Sequence, residues 1–524
     1  MFFSDGSSCR EWLKTIPLTN VVQAQTAVLD AIRYMNRIEM LPIERLSCLE
    51  MLRDKVAFLL TEQRFRYIAK SIPLSAADSN AWKISTSLTE EMEAGYRRCS
   101  TDAIVDTDPL FPHAALIIQR CIRYIGLQML MSSFLYRRFD PSLWQRLHTQ
   151  WQDAEKRGIH LVRVRDTVGV ADGNSSVTQA YSAVVLGQAA NVYELTPRQI
   201  EFVDAIMKRF GHKVTIDRAA PANSNGLHHI VDLNSTTGAE FVGLFEENES
   251  IRHLNIEDLS RSLRRRIRKL GEGVDLASLD LPTDISPGEA QTQLIRLNKF
   301  WCEGEAQRSI PIVPDEEAAE VCFGLNDTHF LLTGQVFEQP NKPQEMTRQQ
   351  MNDLVMFGKI SNTSQRMKAM DVTISRETWG IIDEGKATLR LLRAANSAHG
   401  LMMGRILGVK IDKRGSYYLG AVRELLQELD GSIFVGVGML PGKPDPISAR
   451  PADGKGKPSN PYTQAFRMPS LDVLKISESL IVPSGMAQIG KGIEILHPTV
   501  GVAKVVTVTE FLERGSDYDR VLFS

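Results

Sequence analysis

The chain has 524 residues, which is enough for two to four domains. Its composition, 43% hydrophobic and 24% charged, is that of an ordinary globular protein rather than a disordered or fibrous one. With a formal net charge of −2, the chain has no overall positive field that would attract nucleic acid or anionic lipid. We therefore expect no nucleic-acid partner.

Three features together predict a cytoplasmic protein: the amino-terminal segment, the most apolar long segment and the cysteines. The first ten residues contain no basic stretch followed by an apolar run, so we expect no secretory signal. Arg120 and Arg123 interrupt the apolar segment 114–136, which favours a buried helix over a membrane span. The six cysteines have no C-x-x-C spacing, which indicates reduced thiols, several of them in cores. They are Cys9, Cys48, Cys99, Cys121, Cys302 and Cys322.

The sequence pattern of the first 210 residues predicts a series of amphipathic helices. Four start signals mark these helices: a cap at Asn20, a first-turn proline at Pro42, and the cap–proline pairs Asp140-Pro141 and Thr196-Pro197. After each signal, apolar residues recur every three to four positions, so each helix has one face to bury. We predict a helical domain over residues 1–212, either a bundle or a short solenoid.

The pattern changes after residue 212 to short strands, predicted at 213–217, 229–233 and 240–244. A helix follows, with a cap at Asn255 and a stop at Gly271. One of its faces is basic, which is typical of a solvated helix face, with binding of an anion or an acidic partner as the alternative. That face carries Arg261, Arg264, Arg265, Arg266, Arg268 and Lys269.

A strand–turn–strand is predicted over 320–337, and it completes a small mixed α/β domain over residues 213–340. Pro340, Pro343 and the polar stretch 341–348 predict a connector over 341–370, with one short helix over Met346–Phe357. Short β-like runs at turn spacing follow and predict a barrel-like β domain over 371–524. These runs are 379–383, 404–411, 417–423 and 432–440. The predicted fold class is therefore a multidomain α+β protein.

The sequence lacks the common motifs of an active site. It contains no Walker A loop, no H-E-x-x-H and no G-x-S-x-G. The pair His228-His229 has no partner at the spacing of metal ligands. We predict that the protein is not an enzyme, and that it has neither a metal site nor a resident cofactor.

Eight short sequence segments in the second half of the chain form a recognisable combination. Upstream of the predicted β domain they are LRRRIRKLG at 263–271, NKFWC at 298–302, EVCFGLNDTHF at 320–330 and VFEQP at 336–340. Within it they are WGIIDE at 379–384, GRILGV at 404–409, LGAVR at 419–423 and FVGV at 434–437. Together these segments resemble a group of large proteobacterial proteins in which a helical body precedes a PilZ-like barrel, the receptor fold for cyclic di-GMP. The resemblance implies that the β domain at 371–524 is a PilZ-like barrel.

The resemblance also implies two ligand-binding residues. PilZ receptors bind cyclic di-GMP with an R-x-x-x-R motif before the first strand and a D/N-x-S-x-x-G turn after it; arginines suit this task because they grip phosphates and stack on guanine. Arg366 matches the first arginine and Asp383 the first position of the turn. Met370 replaces the second arginine, Gly385 the serine and Thr388 the last glycine. The motif is therefore degenerate.

From these observations we predict a cytoplasmic regulatory binding protein of the PilZ, cyclic di-GMP signalling type. Its degenerate nucleotide site predicts weak or no cyclic di-GMP binding by the barrel and a role exerted through a protein partner. Cyclic di-GMP is the small ligand that the resemblance implies, and no membrane insertion is expected. The alternative is a ligand-free protein-interaction scaffold, and the third hypothesis is an enzyme with an unrecognised site.

Overall fold

A computed structural model of the chain describes residues 2–99, 110–170, 173–221, 228–242, 248–303, 317–340, 355–356, 374–385, 387–395, 397, 399–411, 415–452, 460–497 and 502–524. The chain divides into two units, Met1–Ser309 and Ile310–Ser524. The predicted fold class is confirmed, because helices dominate the first part of the chain and closed β-barrels the last.

Helices make up most of the chain up to residue 210, as predicted. They are α1 (Gly6–Leu13), α2 (Val21–Arg37), α3 (Pro42–Gln63), α4 (Ala76–Cys99), α5 (Ala114–Ser133), α6 (Ser142–Lys156), α7 (Val177–Ala189) and α8 (Pro197–Phe210). Between α6 and α7 the short strands β1 (Val164–Arg165) and β2 (Asn174–Ser175) pair antiparallel.

The predicted start signals cap the helices as expected. The Asn20 side chain accepts a hydrogen bond from the backbone N–H of Gln23, and Pro42 occupies the first turn of α3. Thr196 forms a reciprocal capping box with Gln199 at the start of α8. At α6 the helix begins one residue later than predicted, and Asp140 accepts from the backbone N–H of Ser142 at 2.8 Å.

The apolar helix α5 is packed inside the helical region. With its preceding turn, Phe111–Ser133 is long and apolar enough to cross a membrane by length and composition, but 72% of its most apolar window is buried within the structure. Its arginine Arg120 is 1% exposed and pairs with Glu50 through two hydrogen bonds of 2.9 and 3.0 Å. The described cysteines are free thiols, and five of the six are buried, which confirms the prediction that several lie in cores.

A four-stranded antiparallel sheet and two helices complete the first unit. The sheet order is β3-β6-β4-β5, formed by β3 (Thr215–Asp217), β4 (His228–Asp232), β5 (Glu240–Val242) and β6 (Ile251–Asn255). The helices are α9 (Glu257–Gly271) and α10 (Pro287–Cys302). Strand β6, which ends at the predicted cap residue Asn255, was absent from the predicted elements.

The basic face of α9 makes local contacts, which supports its interpretation as a solvated helix face. Arg261 pairs with Asp258, and Lys269 pairs with Glu272 at 2.8 Å. Arg266 departs from this interpretation, because its guanidinium lies 3.9 Å from the centre of the Phe210 ring and covers an aromatic face.

The second unit contains two closed six-stranded barrels. The first has the order β10-β11-β12-β9-β8-β7 and consists of β7 (Ala318–Phe323), β8 (Arg376–Glu384), β9 (Thr388–Arg393), β10 (Ile406–Ile411), β11 (Tyr418–Gln427) and β12 (Ile433–Met439). The second has the order β13-β14-β15-β18-β17-β16 and consists of β13 (Asp445–Pro451), β14 (Thr463–Met468), β15 (Ser479–Pro483), β16 (Gly492–Leu496), β17 (Ala503–Arg514) and β18 (Tyr518–Phe523). One barrel was predicted over 371–524.

Two further predictions differ from the structure. Residues 320–337 do not form a strand–turn–strand, because β7 is followed by helix α11 (Gly324–Thr333). Gly324 has φ +77°, which turns the chain out of the strand, and Leu325, Thr328 and His329 then form a buried helical face. The predicted boundary at 340 also separates β7 from the barrel, whereas β7 pairs with β8 and β10. The predicted connector 341–370 lies outside the described residues, apart from Val355 and Met356.

Candidate functional site

Asp383 lies at the carboxyl end of β8, exposed on the outer face of the first barrel. Trp379 and Ile381 precede it on the inner face, and both are buried. A register shift between Ile381 and Asp383 marks a β-bulge, which changes the direction of the side chains that follow it. As a result Asp383 stands across from Arg390 of β9.

Arg390 is held in an ion pair on the same outer face. Its Nε lies 3.4 Å from Oε2 of Glu424 on β11, and both side chains are mostly buried. Gly436 of β12 lies between them in the strand order, and a Cβ at this position would stand 2.7 Å from the Glu424 Cβ. The glycine therefore leaves the space in which the pair meets. We call Asp383, Arg390, Gly436 and Glu424 the outer row.

The turn after Asp383 shows how its two departures from the PilZ motif fit together. Gly385 donates its backbone N–H to the carbonyl of Thr388 at 2.8 Å. A Cβ on Gly385 would stand 2.5 Å from Oγ1 of Thr388. The hydroxyl of Thr388 therefore fills the space where the side chain of the motif's serine would begin. Gly385 lacks the serine hydroxyl, and Thr388, in place of the motif's last glycine, supplies a hydroxyl from the other side of the turn.

The structure places one of the two predicted ligand-binding residues. That residue is Asp383, whereas Arg366 and Met370 lie outside the described residues. Sequence reasoning missed Arg390 and Glu424. A signal for Arg390 was available, because the alternation of β9, with Leu389 and Leu391 buried, points position 390 outward.

A second polar cluster lies at the other end of β8 and centres on Glu377. Its carboxylate accepts hydrogen bonds from Nε1 of Trp379 and Nε of Arg393, each at 2.8 Å, and from the Ser397 hydroxyl, while Nδ1 of His399 lies 3.0 Å away. Burial would raise the pKa of Glu377, but these hydrogen bonds and the charge of Arg393 lower it to about 2.

Arg393 fixes this cluster from inside the barrel. Its side chain is 1% exposed, and its guanidinium lies 5.7 Å from the Trp379 ring and 5.9 Å from the Phe323 ring. His399 stacks on the other aromatic, Phe323, at 4.9 Å. A buried arginine that contacts one carboxylate and two aromatic rings is typical of a structural ion pair. We therefore infer that this cluster stabilises the barrel and does not bind a ligand.

Within the described parts of the chain, no group of three or more His, Cys, Asp or Glu side chains is arranged to hold a metal ion. His228 and His229 belong to β4, and their partners are Nδ1 of His253 at 2.6 Å and the backbone carbonyl of Trp301 at 2.9 Å, respectively. Both contacts are those of buried structural histidines.

Comparison with known proteins relates both the helical region and a larger part of the chain to one protein. Residues 7–222 match the family model of the N-terminal domain of the cyclic-di-GMP receptor FimW. The chain is also 24% identical over 359 residues to the cyclic-di-GMP receptor FimW of Pseudomonas aeruginosa; the match covers 63% of this chain and 55% of the relative. The matched region thus spans about half the length of that relative. No solved structure matches the chain.

These matches confirm the resemblance on which the sequence analysis relied: the chain is similar to a receptor protein of cyclic di-GMP signalling. The family-model match begins within α1 and extends past α8 to residue 222, so the similarity includes the helical region and not only the segments of the barrel.

Proposed function

We propose that this chain is a cytoplasmic, non-catalytic protein of cyclic di-GMP signalling, with a degenerate nucleotide site, which acts through contacts with a protein partner. The observation that carries this proposal is the similarity to the cyclic-di-GMP receptor FimW, which extends over 63% of the chain. The outer row of the first barrel is the candidate nucleotide surface, because it contains Asp383, the residue that precedes the turn resembling the PilZ motif.

The charges of the outer row support weak rather than tight nucleotide binding. Two carboxylates, Asp383 and Glu424, accompany the single cation Arg390, and Arg390 is already paired. A phosphate approaching this face meets more negative than positive charge. A missing arginine removes charge-assisted hydrogen bonds worth roughly 1.5–3 kcal/mol each, which weakens binding by about tenfold to a hundredfold per bond.

Apolar side chains exposed on the second barrel support the protein-contact part of the proposal. Contiguous apolar patches exposed on a soluble protein commonly mark a contact site for a partner. Val473 is 97% exposed and its neighbour Leu474 is 61% exposed. Further exposed apolar residues of this barrel are Ile489, Val502, Val505 and Leu512. The same feature supports the alternative of a ligand-free scaffold.

Calorimetric titration of the intact protein with cyclic di-GMP tests the nucleotide part. We expect a dissociation constant in the micromolar range or higher, and Arg366→Ala and Asp383→Ala should each raise it further. Arg467→Ala on the second barrel is the matched control and should leave the titration unchanged. Submicromolar affinity that either site variant abolishes would overturn the degenerate site while keeping the receptor function. No heat at any concentration favours the ligand-free scaffold.

A pull-down from cell lysate with parent and variant protein tests the contact part. Val473→Asp combined with Leu474→Asp should remove the captured partner without changing the thermal melt, because both side chains are exposed. Lys475→Asp, which changes charge at the next residue, is the control. Capture that survives the double change would show that this surface is not the contact.

A further inference from the structure

A cavity of about 230 Å³ lies among the helices of the first unit. Its walls come from α3, α5, α7 and α8, and from the segment around Val168 and Gly169. The volume is below the roughly 300–1,000 Å³ of pockets that hold drug-sized ligands. A small molecule therefore fits this space better than a dinucleotide.

One end of the cavity is a buried network of arginines. Asp166, which is fully buried, pairs with Arg53 and accepts a hydrogen bond from Nε of Arg123 at 2.9 Å. Behind them Arg120 pairs with Glu50 at 2.9 Å and lies 3.7 Å from Asp166. Burial would raise the pKa of Asp166, but the charges of Arg123, Arg53 and Arg120 hold it well below its usual range.

The charges of this network do not balance. Three guanidinium groups meet only two carboxylates, which leaves one positive charge in a largely buried place. The surplus lies on the side of the cavity, because Arg53 and Arg123 line it whereas Arg120 does not. Nη2 of Arg123 is buried and has no hydrogen-bond partner within the described structure. A buried, unpaired charged donor costs free energy unless an acceptor reaches it.

The other walls of the cavity are mainly apolar. They are formed mainly by Val56, Leu60, Leu127, Leu130, Val184, Ile200 and Val203. Two further charged residues of the lining, Asp204 and Lys208, pair with each other at 2.7 Å and so compensate one another. A chain of methylene groups lying along these walls would leave water, which favours binding by about 0.8 kcal/mol for each buried CH₂.

Gly187 keeps part of this space open. It lies in the last turn of α7 and lines the cavity, and a Cβ added to it would have no heavy atom within 4 Å. Glycine costs helix stability relative to alanine, yet no close packing requires it here. Its effect on the structure is to leave room beside Val184 and Gln188.

We propose that this cavity binds a small amphipathic monoanion, a carboxylate with a short unbranched apolar chain. The carboxylate accepts hydrogen bonds from Arg123 and Arg53, and the chain lies along the apolar walls between α3, α5, α7 and α8. One negative charge matches the single surplus positive charge, whereas a dianionic phosphate would exceed it. The inference concerns the helical region and is independent of the proposed nucleotide surface.

Calorimetric titration of the full chain with sodium octanoate tests the proposal, with butyrate and octan-1-ol as comparison ligands. We expect saturable binding of one octanoate per chain. Butyrate should bind at least tenfold more weakly because it buries fewer methylene groups. Octan-1-ol should also bind at least tenfold more weakly because it lacks the charge that pairs with arginine. Octan-1-ol binding as tightly as octanoate would overturn the role of the arginines.

Two variants and one control locate the site. Arg123→Gln should weaken octanoate binding at least tenfold, and Gly187→Leu, which fills the cavity, should do the same while the helical circular dichroism is retained. Arg33→Gln on α2, whose side chain does not line the cavity, should leave binding unchanged. Gly187→Leu decides the question if Arg123→Gln fails to fold. The proposal is wrong if octanoate shows no saturable binding up to millimolar concentration, or if binding persists unchanged in Gly187→Leu.

Discussion

The ionisation of single side chains makes the stability of the first barrel depend on pH, and Glu377 is the clearest case. Its pKa of about 2 in the folded state lies below the value of about 4.5 for a free glutamate. A depressed carboxyl pKa contributes stability that is complete above the unfolded pKa and is lost as the pH falls through the folded one. For Glu377 the window therefore runs from about pH 4.5 down to about pH 2.

We expect the stability that Glu377 contributes, on the order of 3 kcal/mol at neutral pH, to disappear over this window. Glu377→Gln should destabilise the barrel at pH 7, and the difference from the parent should shrink towards pH 3. Calorimetric melts of the full chain between pH 7 and pH 3 measure this. Asp383→Asn, at an exposed carboxylate of the same barrel, is the control. A difference between parent and Glu377→Gln that stays constant with pH would contradict the prediction.

Gly385 and Thr388 form a coupled pair, because each occupies space that the other's replacement needs. Gly385→Ser alone should cost about 1 kcal/mol, since Thr388 must leave its rotamer to admit the new Cβ. Combined with Thr388→Gly the same change should cost less. A double-mutant cycle by chemical denaturation measures the coupling, and additive effects of the two changes would show that the contact is unimportant.

At the scale of elements, the helices show how an apolar stripe becomes a packed face. Leu147 and Trp151 lie one turn apart on α6, and neither is exposed. The Trp151 ring packs 5.4 Å from the Tyr181 ring of α7, and its Nε1 donates to the Thr178 hydroxyl at 3.3 Å. The face of α6 that carries Leu147 and Trp151 therefore packs on α7 through both apolar and polar contacts.

We expect Leu147→Ala and Trp151→Ala each to destabilise the fold by about 2–5 kcal/mol, because each leaves a cavity in this contact. Trp151→Ala additionally leaves the Thr178 hydroxyl without its donor. Lys156→Ala, at an exposed position of the same helix, is the control and should change stability little. Thermal melts that superimpose on the parent for both core variants would contradict the packing described for α6.

At the scale of the whole molecule, the first barrel is assembled from distant parts of the chain. Strand β7 ends at residue 323 and β8 begins at residue 376, yet the two pair over five residues. The predicted connector 341–370 lies between them in the sequence. Cleavage of this stretch should therefore leave β7 hydrogen-bonded to β8 and β10.

Limited proteolysis tests this arrangement together with the predicted connector. We expect the first cut within 341–370, giving two fragments on a denaturing gel that still elute together in gel filtration without denaturant. Parent protein kept without protease provides the elution reference. A first cut inside 405–440, or separation of the fragments in native buffer, would contradict the prediction.

The sequence alone predicted those parts of the protein that depend on local chemistry. Caps and first-turn prolines at Asn20, Pro42 and Thr196 mark helix starts because they satisfy or avoid the unpaired N–H groups of the first turn. Short sequence words were enough to predict the resemblance to cyclic di-GMP receptors, and the comparisons confirm it. The local sequence pattern did not predict α11, because the same apolar residues suit a strand or a helix. The positive φ of Gly324 ends the strand there.

The tertiary structure decided which distant side chains meet. Arg390 and Glu424 are 34 positions apart and approach only because strand pairing places Gly436 between them. The closure of a second barrel, and the cavity between Arg123 and Gly187, likewise depend on contacts between residues far apart in the chain. Local periodicity carries no information about such pairings, because many registers bury the same apolar face and only the packed chain selects one.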